Sequence, residues 1–125
     1  MTNRTNTFLN LREPQIGQTS SETSSEELFQ NKTLRPILKL QNDLFIAVFN
    51  EYIKRQKNVF SNLTTVKKEE FIDNAVHRDF KFRDFLIGLV VGLFTLDEFN
   101  EYSLNASNLN KRIINLLATR LKNQF

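Results

Sequence analysis

An all-α fold follows from three observations on this chain of 125 residues. Apolar side chains recur at threes and fours in three separate stretches, the spacing of one helix face. Two Ser/Thr-x-x-Glu sequences, Ser24 to Glu27 and Thr95 to Glu98, have the form of capping boxes. Only three Gly and two Pro are present, too few for the many turns of a sandwich or barrel. The expectation is a bundle of four to five helices around a central apolar helix, with a flexible N-terminal tail.

Residues 1–24 are rich in Thr, Ser, Asn, Gln and Glu without a sustained period, and predict a flexible polar tail. Phe8, Leu9, Leu11, Pro14 and Ile16 interrupt it. They support either a strap across the core or a short linear motif for a protein partner. Residues 25–125 then form a single helical domain. Ser24 and Glu27 satisfy the free amides at its start. Leu34, Ile37, Leu38, Leu44, Phe45, Val48, Phe49 and Tyr52 predict a long first helix. Pro36 cannot sit unnoticed in its interior, so either Thr33 caps a new helix there or the helix kinks. Lys54, Arg55 and Lys57 crowd the C-terminal end, where cations offset the helix dipole.

A connection over residues 58–64 tucks Val59, Phe60 and Leu63 inward, and Thr64 or Thr65 caps the next helix. Phe71, Ile72, Ala75, Val76 and Phe80 mark its apolar side. From Phe85 to Phe94 no residue is polar. That run is far shorter than the ~20 residues a membrane-spanning helix needs, so protein must bury it. Ile87, Val90 and Val91 are β-branched, but no other segment alternates with period two to pair with a strand. A central helix, apolar on all sides, is the expectation. Phe94 and Phe99 flank the Thr95 cap with the spacing of a hydrophobic staple. After a short helix, Asn105 or Ser107 caps a last one carrying Leu109, Ile113, Leu116, Leu117 and Leu121.

Twelve Phe supply a core with no polar atoms to satisfy. The absence of Cys removes disulfides, thiolate metal sites and Cys nucleophiles together. No apolar leader is visible at the N-terminus, so a cytoplasmic location is expected. The net charge of +3 is small, yet Lys111, Arg112, Arg120 and Lys122 make the last helix locally basic. Such a face is either solvated surface or an anion-binding one.

Gly88 and Gly92 sit one turn apart on one helix face. Each costs ~1 kcal/mol relative to Ala, so a close crossing is expected, inside one subunit or between two. The single histidine, His77, lies four residues after Asp73 on a shared face. With Arg83 these residues could line a small ligand pocket, though one His and one carboxylate fall short of a catalytic zinc set. A solvated or structural His is the alternative. Asp79 is a natural N-cap and a favourable i,i+4 partner for Arg83.

The stretch Asn31-Lys-Thr-Leu-Arg-Pro-Ile-Leu-Lys-Leu-Gln-Asn-Asp-Leu-Phe-Ile-Ala-Val-Phe49, with Lys81-Phe-Arg83 and Gly92-Leu-Phe-Thr95, resembles a family of short bacterial proteins of unassigned role. Some members are labelled glyoxalases. The resemblance implies a shared fold over residues 25–125. A glyoxalase I-type metal set uses several His and Glu residues on strands, so no functional residue is carried over to a chain with one His.

No phosphate loop, nucleophile elbow or metalloprotease helix is present. The leading expectation is therefore a small interaction or regulatory module without catalysis, cofactor or metal. A ligand binder or enzyme at Asp73, His77 and Arg83 is one alternative. A nucleic-acid-associated protein using the basic last helix is the other. Self-association as a homodimer is expected, through the long first helix or the Gly88/Gly92 face, because a helix apolar all round needs neighbours on every side.

Overall fold

A computed structural model describes residues 2–12, 24–57 and 59–125. Among them there is no strand. The helices are α1 (Thr2–Asn10), α2 (Ser25–Phe29), α3 (Arg35–Leu40), α4 (Asn42–Arg55), α5 (Thr65–Arg78), α6 (Phe80–Val91), α7 (Leu96–Ser103) and α8 (Ala106–Gln124). The all-α bundle is the architecture that the spacing predicts.

The expected first helix is a bent rod of three pieces. Ser24 Oγ accepts from the Glu27 amide at 3.2 Å and starts α2. Next comes a π-helical turn, Gln30–Leu34, in which the Arg35 amide donates five residues back to Gln30. Pro36 has no N–H to donate and its ring crowds the preceding turn. The wider turn ahead of it absorbs that defect, so the chain continues without a new cap. Thr33 is accordingly not an N-cap: it lies inside the π turn and its hydroxyl donates to Glu98. A second bend falls at Gln41, whose φ and ψ are −90° and 4°.

Caps set the remaining boundaries. Thr64 Oγ1 accepts from the Lys67 amide, and Asp79 Oδ1 from the Phe82 amide. At α7 the capping box is complete: the Glu98 amide donates to Thr95 Oγ1, and the Thr95 amide donates to Glu98 Oε1 at 2.8 Å. The Phe94–Phe99 staple is not made. The Phe94 ring instead packs edge-on against Phe29 and Tyr102, both at 5.5 Å, and Phe99 stays exposed. The Asp79–Arg83 ion pair is also missing, because the Asp79 carboxylate serves the Phe82 amide and the Tyr52 hydroxyl.

Helices α5, α6 and α8 pack on one another and α4 closes the core with its aromatic side. Phe49 is the hub, fully buried among Tyr52, Phe60, Phe71, Phe82 and Phe125, with the Phe125 ring only 4.9 Å away. The partly buried C-terminal Phe125 thus packs against the core. Val59 and Phe80 face solvent, at 50% and 71% exposure, against the expectation that both turn inward. In α8, Ile114 and Ala118 join the expected Leu109, Ile113, Leu117 and Leu121 in the interior, while Leu116 is half-buried. No described helix is long and apolar enough to cross a membrane.

Within the segment read as a tail, residues 2–10 are helical. Among the described residues, what fastens them to the bundle is not Leu9 or Leu11. Leu9 and Leu11 are exposed, and only Phe8 is partly covered, beneath the Arg4 guanidinium at 4.4 Å. Arg4 and Arg12 make the attachment. Pro14 and Ile16 lie outside the described residues.

Candidate interaction surface

Burial of α6 is one-sided. Leu86, Ile87 and Val90 are buried against α5 and α8, whereas Phe85 is 52% exposed and Gly88 and Gly92 face solvent. Three contacts fix this rotation. The Tyr52 ring stacks on Phe82 at 4.1 Å between centroids, and the Tyr52 hydroxyl donates to Asp79 Oδ2 at 3.0 Å. Gln41 Nε2 donates to the Leu89 carbonyl at 3.2 Å. Both anchors come from α4 and its leading bend, so α4 lies along one flank of α6. The helix is apolar all round because its sequence is, yet this subunit covers only half of it.

Lys81, Phe85, Gly88 and Gly92 form one line on the exposed side, at spacings of four, three and four. That is the stagger of a coiled-coil seam. At Gly88 an added Cβ would meet nothing within 4 Å. Among the described residues no close crossing inside the subunit accounts for Gly88. Gly92 differs, since a Cβ there would stand 3.1 Å from the Gly88 carbonyl oxygen. It lies at the turn that follows α6 and leads to Thr95.

The C-terminal end of α6 is closed by Arg4 of α1 and by Arg12, two residues past it. Arg4 Nη1 donates to the Phe94 carbonyl at 2.7 Å, and Arg12 Nη2 donates to the Leu93 carbonyl at 3.0 Å. Cations belong at this end, where the last carbonyls lack helical partners and the dipole is negative. Arg12 also grips Glu98 with both terminal nitrogens, at 2.6 and 2.7 Å. Thr33 Oγ1 donates to the same carboxylate at 2.9 Å. Burial raises the Glu98 pKa, but the Arg12 bonds, the Thr95 amide, the Arg12 charge and the Thr33 hydroxyl outweigh it and hold it below the ordinary value. One carboxylate thus joins α1, the π turn and α7.

Of the residues picked as a ligand pocket, Asp73 and His77 lie 3.9 Å apart on the outer side of α5, each with about two-fifths of its side chain exposed. Asp73 Oδ1 is also 2.8 Å from Lys122 Nζ. Among the described residues no hydrogen bond or ion pair connects Arg83 to either of them, and no group of three His, Cys, Asp or Glu residues could hold a metal. The basic face of α8 is partly neutralised in the same way: Arg112 approaches Glu26 at 4.0 Å and donates to Gln30 Oε1 at 3.0 Å. Arg4 and Arg12 were invisible as functional residues in the sequence, where nothing separates a structural arginine in a polar tail from a solvated one.

Comparison with protein-family models, with curated proteins and with solved structures finds no match.

Proposed function

We propose that this chain is a small helical interaction module of the cytoplasm, without catalysis, that pairs with a second copy through the exposed line of α6. The observation that supports this most is Gly88. A helix interior that spends ~1 kcal/mol on a glycine, with open space in front of it, lacks an internal reason for that glycine. A second backbone approaching the line supplies one. A two-fold axis near Gly88 sets the two Gly88 positions face to face and lays each Phe85 ring against the partner's Gly92 turn. Self-complementarity of this kind is what an isologous dimer requires, and exposed aromatic rings are the usual anchors of such a contact.

The rival ligand site at Asp73, His77 and Arg83 draws no comparable support, since its first two members are well solvated and Asp73 has Lys122 as a partner. The decisive variant is Gly88→Leu. Among the described residues nothing lies within 4 Å of a Cβ added at Gly88, so helicity should be kept while light scattering reports a monomer. An unaltered dimer mass would remove α6 from the contact.

A further inference from the structure

At the opposite edge of α8 lies an open groove of about 540 Å³, walled by α3, the start of α4 and the C-terminal turns of α8. Arg35 and Arg120 stand on its walls, Asn42 and Gln124 close one end, and Leu38 and Leu116 supply an apolar part. Elsewhere Arg4 meets backbone carbonyls, and three other cations that turn toward the protein body meet a carboxylate: Arg12 has Glu98, Lys122 has Asp73, and Arg112 has Glu26. These two do not. Among the described residues no carboxylate lies within 4 Å of either guanidinium.

Their hydrogen bonds are to neutral amide oxygens. Arg35 Nε donates to Asn31 Oδ1 at 3.0 Å, and Arg120 Nη1 donates to Asn42 Oδ1 at 3.3 Å. Asn42 is itself locked by a reciprocal amide pair with Gln124, at 2.8 and 3.0 Å. Gln124 Nε2 also donates to the Arg120 carbonyl at 3.0 Å. One edge of the Arg120 fork is therefore held, and Nε and Nη2 remain without a partner among the described residues. Both terminal nitrogens of Arg35 are equally unengaged. Burial, and then the charge of Arg35, push the Arg120 pKa down, as befits two like charges kept together.

We infer that this groove binds a small phosphate monoester, with the phosphate between Arg35 and Arg120 and its organic body over the half-buried Leu116. Two guanidinium forks match a phosphate, whose oxygens accept paired N–H bonds. Their combined charge balances a dianion better than a monoanionic carboxylate. The volume fits a small organic molecule and exceeds what a bare ion needs. None of these residues belongs to the α6 line, so the site stands apart from self-association.

The test uses the full chain with phenyl phosphate as probe, followed by amide chemical-shift mapping and calorimetry. Phenyl phosphate should shift the amides of residues 35–42 and 116–124. It should bind at least ten-fold more tightly than benzoate or inorganic phosphate. Affinity should fall as pH drops below about 6, where the phosphate loses its second charge. Arg35→Gln, at an exposed position that the fold does not depend on, should weaken binding about ten-fold, and Arg120→Gln likewise. Failure of phenyl phosphate to shift these amides at millimolar concentration would overturn the inference. So would binding that survives the double Arg35→Gln/Arg120→Gln variant, or preference for a random oligonucleotide over phenyl phosphate, which would mark a polyanion surface.

Discussion

Glu98→Gln tests how the N-terminal helix is held. The carboxylate accepts four hydrogen bonds, two from Arg12 and one each from Thr33 and the Thr95 amide. Glutamine keeps the volume but replaces one oxygen with a donor. That NH₂ must face one Arg12 nitrogen in either orientation, together with the Thr95 amide or the Thr33 hydroxyl, so a charge-assisted bond is lost in each case. Bonds to charged groups contribute ~1.5–3 kcal/mol, and the Arg12 side chain, only 7% exposed, has little water to replace its partner. Release of α1 caps the penalty, because a detached Arg12 is rehydrated. We expect a loss of about 2–3 kcal/mol by urea unfolding, or roughly 8–12 °C in Tm for a domain of this size. Amide exchange in residues 2–12 should accelerate more than in α8.

The pH dependence provides a second check on the same variant. The Glu98 pKa is lower folded than unfolded, so its contribution is present above the unfolded value of about 4.3 and is lost as pH falls through the folded one. The gap between wild type and Glu98→Gln should therefore narrow in acid. A difference under about 0.5 kcal/mol at neutral pH, or one that widens in acid, refutes the clasp.

Three further outcomes follow from individual side chains. Phe49→Ala removes the hub of five ring contacts and should cost about 3–5 kcal/mol by denaturant titration. Burial and the Asp79 carboxylate push the Tyr52 pKa up to about 12, so its stabilisation is complete below pH ~10 and lost as pH rises through the folded value; Tyr52→Phe should cost about 1–2 kcal/mol at neutral pH and lose that deficit in alkali. Lys57, just past α4, has φ of 64°, and Lys57→Gly should raise stability by about 0.5–1 kcal/mol in thermal unfolding.

The fold was legible where a local signal had one reading. Thr95 and Glu98 specify a helix start whatever surrounds them, and Asp79 caps α6 as its position suggests. Helical spacing picked out the buried faces of α5 and α8 and, in α4, Phe45 and Phe49, because periodicity records burial directly, although Leu44 of the predicted face is exposed and the buried Ile53 was not in it. It failed for α6, whose apolar residues surround the axis and carry no phase. Which side faces solvent is decided by Tyr52 and Gln41, whose partners Asp79 and Leu89 lie 27 and 48 residues away in sequence. The same limit hid Arg4 and Arg12. Their partners are backbone carbonyls and one glutamate more than eighty residues away, and composition alone cannot pair them. The groove at Arg35 and Arg120 was half visible as an excess of basic residues on the last helix. Only the arrangement of helices shows which of those cations have acids beside them.

The most direct test of the central claim is the mass of the wild-type chain in solution across a concentration series. Light scattering or sedimentation equilibrium from one to several hundred micromolar, read against the 14.7 kDa of one chain, decides it. If the exposed line of α6 pairs two copies, the mass rises to twice that value and Gly88→Leu holds it at the single-chain mass. A wild-type mass that stays at 14.7 kDa throughout the range would contradict the account.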